Sequence, residues 1–342
     1  MRRTVLKSLL AASTAVTMPR LALAQAKPEK SKLTVAVGGK NLFYYLPLTI
    51  AEQLGYFKAE GLEVEIPDFA GGSKALQALV GGSADVVSGA FEHTINMQAK
   101  NQSIQSIVLQ GRAPQIVLAV STKTMPNYKS LADLKGKKIG VTAPGSSTSM
   151  MASYVLAKAG LKASDVSFIG VGASSGAITA VKSGQVDAIA NLDPVITMLE
   201  RDKLIKIVSD TRTLKETQAV YGGPMPAACF YTHSKFVQEN PATCQALANA
   251  MVRALRWLQR AGPSDIVKTV PDSYLLGDRA LYLAAWEHVR EAISPDGIMP
   301  EAGPSTALRV LQTFEESLKT KAIDLSKTYT NAFAQKAAAK YS

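Results

Sequence analysis

The sequence predicts an α/β protein of two similar lobes, each a set of parallel strands joined by helices. Three observations point there. Residues 72–87 (GSKALQALVGGSADVV) and 174–189 (SSGAITAVKSGQVDAI) match at an offset of 102 positions. Ser73 then meets Ser175, Ala75 meets Ala177, Ala78 meets Ala180, Gly82 meets Gly184 and Asp85 meets Asp187, with conservative matches at Leu76/Ile178, Leu79/Val181 and Val87/Ile189. Upstream of each copy, AEGLEVEI (59–66) and AKAGLKASDVSFI (157–169) read as a helix ending at Gly-Leu and then a strand, at an offset of 99. Each unit opens on a strand, LTVAVGG (33–39) or KKIGVTAPG (137–145). Apolar strands alternating with helices imply parallel pairing through right-handed crossovers. A period near 100 residues is a domain duplication, since solenoid units run roughly 20–50 residues. Two similar lobes make a cleft.

The elements follow in order. Lobe one begins with the strand at 33–37, and Pro47, whose fixed φ suits a first helical turn, starts a helix ending near Gly55. The strand at 62–66 leads to Gly71-Gly72-Ser73 and a helix to Val80. Asp85-Val86-Val87 is the next strand, and Ser88-Gly89-Ala90 is expected to start the helix to Lys100. Ile104–Leu109 is a further strand, and Ile116–Val120 reads as the run that leaves the lobe. In lobe two, Leu131–Leu134 is a short helical turn, and Ser146-Ser147-Thr148 caps a long helix ending at Gly160. The second copy of the repeat follows, then Asn191-Leu192-Asp193-Pro194 before a helix, and a strand at Ile205–Val208. Gly and Pro make Gln218–Pro226 a loop, and Ala227–Thr232 a strand returning to lobe one. Leu247, Met251, Leu255 and Leu258 recur at a helical period, and Arg279–Ala292 and Ser305–Leu318 continue a helical region expected to pack on lobe one. The resulting division is 25–120 and 227–342 for lobe one and 121–226 for lobe two.

At 342 residues the chain is long enough for two ordinary domains. Hydrophobic residues make up 47% and charged residues 19%, which excludes a disordered chain. Net charge is +11, and removing the four cations Arg2, Arg3, Lys7 and Arg20 of an acid-free N-terminus leaves +7. Lys and Arg are scattered rather than run together, so no nucleic-acid partner is expected. Residues 1–24 read as an export signal: a charged start, a mildly apolar stretch from Ser8 to Met18, and the small-residue cleavage site Ala22-Leu23-Ala24. Arg2-Arg3 followed by Val5, Leu6 and Lys7 resembles a twin-arginine signal; an ordinary Sec signal is the alternative. The mature protein is expected outside the cytoplasm, with no lipid anchor and no membrane helix. Cys229 and Cys244 could pair in an oxidising compartment or stay as two buried thiols. No CxxC, HExxH or His/Cys cluster suggests a metal, and no cofactor is expected.

Three loops share one design, small or hydroxyl residues just before a helix: Gly71-Gly72-Ser73, Ser88-Gly89-Ala90 and Ser146-Ser147-Thr148. Helix N-termini offer free N–H donors, glycine admits a ligand to the backbone, and Ser or Thr adds a hydroxyl. Plain N-capping is the alternative. Gly72, Ser73, Gly89, Ser146, Ser147 and Thr148 are therefore candidate ligand contacts. Asp193 either meets a ligand amine or caps the helix after Pro194. His93, beside Glu92 early in a helix, is the histidine placed to reach the cleft, and Asn41, Tyr45 and Tyr221 sit on loops that could hold an organic ligand. Asp85 and Asp187 read as strand-start residues. No GxxxxGK[ST] or GxGxxG occurs and no Ser-His-Asp ordering is convincing, so nucleotide binding and serine hydrolysis lack support.

The runs PLTIAEQLGYFKAEGLEVEI (47–66), GGSKALQALVGGSADV (71–86) and LADLKGKKIGVTAPGSST (131–148) resemble exported substrate-binding proteins of ABC importers, in the branch that binds nitrate, taurine, aliphatic sulfonates and thiamine-pyrimidine precursors. The resemblance covers about residues 30–230. It implies a type II periplasmic binding protein fold, two α/β lobes joined by two crossing strands and closing on a small organic anion or a pyrimidine-like heterocycle. It implies delivery to an inner-membrane permease by a monomer, with Ser73, Gly89 and Ser146–Thr148 lining the cleft. Asp193-Pro194 resembles the Trp-Asp-Pro of taurine binders, but Leu192 replaces the tryptophan. The cysteine-rich motif of eukaryotic relatives that make the thiamine pyrimidine is absent, which argues against that enzymatic branch. A periplasmic enzyme on this fold and a ligand-presenting partner of a sensor are the alternatives.

Overall fold

A computed structural model describes residues 27–341, so the segment 1–24 read as an export signal lies outside the described residues. The chain builds β1 (Lys32–Gly38), α1 (Leu46–Gln53), α2 (Tyr56–Ala59), β2 (Glu63–Glu65), β3 (Asp68–Phe69), α3 (Gly72–Val80), β4 (Val86–Ala90), α4 (Glu92–Gln98) and β5 (Ile104–Leu109). It crosses to β6 (Val117–Ser121), β7 (Lys138–Val141), α5 (Ser147–Lys158), β8 (Ser167–Gly170), α6 (Ser175–Ser183), β9 (Ala188–Asn191), α7 (Val195–Arg201), β10 (Ile205–Asp210) and α8 (Leu214–Tyr221). It returns as β11 (Ala228–His233) and ends in helices α9 (Ser234–Glu239), α10 (Pro241–Arg260), α11 (Pro263–Thr269), α12 (Arg279–Val289), α13 (Gly303–Phe314), α14 (Glu316–Lys319) and α15 (Ala332–Lys340).

The strands form two sheets. Sheet one has the order β2-β1-β4-β11-β5, with β3 also on β1; sheet two has the order β10-β6-β9-β7-β8. Neither is purely parallel, which corrects the expectation from the strand–helix alternation. β11 runs antiparallel to β4 and β5, and β6 antiparallel to β9 and β10. The reason is topological. A strand reached by a helical crossover ends at the cleft, whereas β6 and β11 arrive from the opposite lobe, begin at the cleft and run away from it.

The repeated aspartates hold the two sheets in the same way. Asp85 Oδ2 accepts from the Thr34 N–H at 3.1 Å, and the Asp85 N–H donates to Thr34 O at 2.9 Å. In sheet two, Asp187 Oδ2 accepts from the Lys138 N–H at 2.9 Å and its N–H donates to Lys138 O at 2.8 Å. Each clasp ties the start of a central strand to the strand that opens its copy of the repeated unit. Val35 then faces Val86 and Ile139 faces Ala188, so the register of both pairs is fixed.

Helices α10 and α15 pack against β5, and α10 also covers α1 and α2, as the apolar spacing of Leu247, Met251, Leu255 and Leu258 requires. Not all C-terminal helices stay with sheet one: α12 packs on α7, and α13 lies against both α4 and α5. Cys229 in β11 and Cys244 in α10 are separate buried thiols, so of the two sequence alternatives the unpaired one holds here. No helix of the described residues is long and apolar enough to cross a membrane, and no group of three or more metal-ligating side chains occurs among them.

Candidate functional site

The tips of β1, α3, α4 and α5 meet where the two sheets face each other, and their hydroxyls do not cap their own helices. Gly71 and Ser146 are the N-caps of α3 and α5, and neither makes a side-chain cap bond. Ser146 Oγ instead accepts from the Ser73 N–H at 3.0 Å and donates to Ser73 Oγ at 3.2 Å, while Ser73 Oγ donates to Pro144 O at 2.9 Å. Asn41 Nδ2 donates to Ala173 O at 3.0 Å, and the Phe43 N–H to Asp193 O at 3.2 Å. These bonds stitch one sheet's loops to the other's. Glycine makes the approach close enough: a Cβ on Gly71 would stand 2.8 Å from Ala143 Cβ and 2.9 Å from its nitrogen.

Inside this seam a Cβ on Gly72 would lie 3.5 Å from His93 Cε1, 3.6 Å from the Tyr45 hydroxyl and 4.0 Å from Ser146 Oγ. Gly72, Tyr45, His93, Ser73 and Ser146 are thus brought together. His93 Nε2 is 3.4 Å from Gly145 O and Nδ1 is 2.9 Å from the Tyr231 hydroxyl. A carbonyl only accepts, so Nε2 carries the proton and Nδ1 accepts from Tyr231. Burial lowers the His93 pKa to about 4, and the ring is neutral at neutral pH.

The other predicted residues occupy different positions. Ser147 hydrogen-bonds the Tyr44 hydroxyl. Thr148 Oγ1 turns inward, accepting from the Thr142 N–H at 3.2 Å and lying 3.0 Å from Thr142 Oγ1, so it braces its own loop. Gly89 lies inside β4 rather than at a helix start, because Ser88–Ala90 pair with β11; a Cβ there would come within 2.7 Å of the Tyr231 ring. Tyr221 is the last residue of α8, not part of a loop, since Thr213 and Glu216 form a capping box and Gly222 ends the helix. Its ring packs on Tyr154 with centroids 5.2 Å apart.

Asp193 is engaged within the protein. Its Oδ1 accepts from the Thr197 N–H at 2.8 Å and hydroxyl at 2.7 Å, and its Oδ2 is 3.6 Å from Arg212 Nη1. Arg212, just past β10, also bonds Glu200 at 2.7 Å and grips Asp210 with Nε at 3.0–3.1 Å and Nη2 at 2.6 Å. One buried guanidinium therefore holds three carboxylates where the chain leaves sheet two. Burial opposes its charge, but these bonds hold the Arg212 pKa above its usual value.

A family model described as "NMT1/THI5 like" matches residues 42–262. The chain belongs to the NMT1/THI5-like family. Its fold is that of the periplasmic binding proteins. A solved structure from Bordetella bronchiseptica RB50 is 59% identical and superposes with a TM-score of 0.91, covering 92% of this chain and 99% of that one. The alkanesulfonate-binding protein SsuA from Xanthomonas axonopodis pv. citri, bound to MOPS, shares the fold at 20% identity and a TM-score of 0.67, over 89% of this chain and 99% of that one. A 4-amino-5-hydroxymethyl-2-methylpyrimidine phosphate synthase from Aspergillus parasiticus is 26% identical over 233 residues, 65% of each chain.

In this NMT1/THI5-like chain the sequence reading missed a central acid. Glu92 opens α4 and is 4% exposed, and its Oε2 has no hydrogen-bond partner within the protein. Its charge acts on the buried hydroxyls of Tyr44, Tyr45, Tyr221 and Tyr231 and on the Cys229 thiol. Burial pushes the Glu92 pKa up to about 7, opposed by a bond from its own backbone N–H. An acid in the first helical turn is ordinary by sequence. Only the fold shows that this one is buried without a partner.

Proposed function

We propose that the protein is the periplasmic solute-binding component of an ABC importer, which captures a small organic anion or a pyrimidine-like heterocycle between its lobes and delivers it to a permease. The observation that carries this reading is the seam. The serine hydroxyls at the starts of α3 and α5 bond each other across the two sheets instead of capping their own helices. A solute touching both lobes stabilises the closed arrangement by its differential affinity for it. In this reading the lobes follow the division 25–120 with 227–342 and 121–226, except that β6 (Val117–Ser121) pairs within sheet two and so belongs to lobe two; a twin-arginine signal directs export, and the mature protein works as a monomer. Tyr45, Gly72, Ser73, His93 and Ser146 touch solute, with Asn41, Ser147 and Tyr221 beside them. Gly89, Thr148 and Asp193 act by holding Tyr231, the α5 loop and Arg212.

A second reading, a periplasmic enzyme on the same fold, is favoured by the similarity to the pyrimidine phosphate synthase. A thermal-shift screen of sulfonates, carboxylates, nitrate and pyrimidines separates the two. A solute at about 100 times its Kd stabilises by about 2.7 kcal/mol, and an importer component returns it chemically unchanged. Appearance of a product would transfer the protein to the enzymes.

Gly71→Val tests the seam itself. Gly71 has φ −177°, an extended backbone that valine adopts freely, so the conflict falls on Ala143 of the other lobe. Solute affinity is expected to fall roughly tenfold, because part of the binding energy goes into closing a seam that no longer fits. The melting temperature without solute should stay near wild type. Unchanged affinity by calorimetry would remove the seam from the closure.

A further inference from the structure

Closure of the lobes, on the reading above that they open and close on a solute, falls on one residue of the first crossing segment. The described arrangement is the closed one, since Ser73 meets Ser146 and Asn41 meets Ala173 across the seam. Between β5 and β6 the chain is held at both ends. On the sheet-one side the Gly111 N–H donates to Ala228 O at 3.1 Å and the Arg112 N–H to Ala292 O at 2.7 Å. On the sheet-two side the Gln115 N–H donates to Thr211 O at 3.0 Å and the Ile116 N–H to Thr211 Oγ1 at 3.0 Å, while the Thr211 N–H returns to Ile116 O at 3.0 Å. A rotation of one lobe against the other is therefore absorbed by the backbone from Ala113 to Gln115. The ring of Pro114 fixes its φ, and Ala113 before it is confined to extended conformations. The freedom that remains rests on ψ of Pro114 and φ of Gln115.

Gln115 is strained in this arrangement. Its φ is 59°, in the left-handed region that a residue with a Cβ rarely adopts. The other non-glycine residues with positive φ among the described residues, Asn101, Lys203 and Leu276, lie outside the crossings. The second crossing turns at Gly222, φ 71°, where glycine meets no such penalty. The Gln115 side chain is also 1% exposed, and neither its amide nitrogen nor its amide oxygen has a hydrogen-bond partner within the protein. A buried, unpaired amide is costly.

We propose that Gln115 is the pivot of the first crossing, forced into the left-handed region by closure, and that its strain keeps the solute-free protein open. Opening returns Gln115 to an ordinary φ and its amide to water.

Spin labels on Gln77→Cys and Thr179→Cys, exposed positions of α3 and α6 that match in the repeat, report the distance between the lobes by pulsed electron spin resonance. Cys229 and Cys244 are buried and stay unlabelled. Without solute the labelled protein should populate mainly the longer of two distances. Gln115→Gly accepts the left-handed φ and should raise the closed-to-open ratio about tenfold. Gln115→Ala removes the amide but keeps the backbone penalty, so its rise should be smaller. Gln115→Asn brings a residue type that enters the left-handed region more readily, should also raise the ratio, and decides the matter if the glycine variant fails to fold. The proposal is overturned if the solute-free protein already holds the short distance. It is overturned equally if Gln115→Gly, or in its place Gln115→Asn, raises the ratio no more than Gln115→Ala does. The measurement needs no solute, so its failure leaves solute capture standing, and a silent solute screen leaves the pivot standing.

Discussion

Arg212→Ala is expected to destabilise the protein by about 3–5 kcal/mol, the cost of breaking a buried charge cluster from one side. Arg212 is 2% exposed and Asp193 1% exposed, so water cannot replace the lost guanidinium. Without it Asp193, Asp210 and Glu200 face one another without a counter-charge, and the already raised Asp193 pKa rises further. Urea unfolding at neutral pH reads the loss as a lower midpoint at unchanged slope. Arg212→Lys should recover little of it, because an ammonium cannot reproduce the two-point grip on Asp210. A loss under about 1 kcal/mol, the range of an exposed pair, would mean that the cluster is solvated.

Glu92→Gln should change how stability depends on pH. In the wild type two neighbours oppose each other. Glu92 has its pKa raised from 4.5 to about 7, so its contribution is fully present below pH 4.5 and is lost as pH rises through 7. His93 has its pKa lowered from 6.5 to about 4, so its contribution is present above pH 6.5 and is lost as pH falls through 4. Each spans about 3 kcal/mol at 1.36 kcal/mol per pKa unit. Between pH 4.5 and 6.5 the unfolded chain holds its proton on His93 and the folded chain on Glu92, so the two slopes cancel. The groups that feel the Glu92 charge do not titrate in this range: the Tyr44, Tyr45, Tyr221 and Tyr231 hydroxyls are raised above their usual values, and the Cys229 thiol is pushed up to about 12. Glu92→Gln removes one arm. The variant should lose up to about 3 kcal/mol as pH falls from 6.5 to 4, and should exceed the wild type in stability above pH 7. Parallel pH profiles for the two proteins would sink the assignment of opposed protonation states.

The sequence reading succeeded where the signal was local and repeated. Ser73 and Ser175, Gly82 and Gly184, and Asp85 and Asp187 mark two copies of one unit, and each copy forms the strand–helix–strand segment expected of it. It failed where a residue's meaning depends on the other lobe. Ser88-Gly89-Ala90 has the composition of a helix start, yet β11 arrives from a distant segment and pairs with it. Asp193 read as a ligand contact or a helix cap, and its tie to Arg212 was hidden because Arg212 stands 19 positions downstream, beyond a helix and a strand. Serines before helices suggested a ligand or a cap, and the bond between Ser73 and Ser146 across 73 residues has no sequence signature. Glu92 was visible only as a neighbour of His93, because nothing local marks an acid that the fold buries without a partner.

The twin aspartate clasps bear on how such a protein diversifies. Each clasp fixes its half at the end of the strands away from the cleft, through one acid and one strand-start amide. The loops that reach the cleft therefore carry no duty in setting register. They are free to drift in length and chemistry, as the mismatch between the Gly71–Ser73 and Ser174–Ser175 turns already shows within one chain. A duplicated ancestor with interchangeable halves could in this way have acquired two unlike rims on two like frames. Altered solute preference then requires exchanging a rim and leaves the frame untouched.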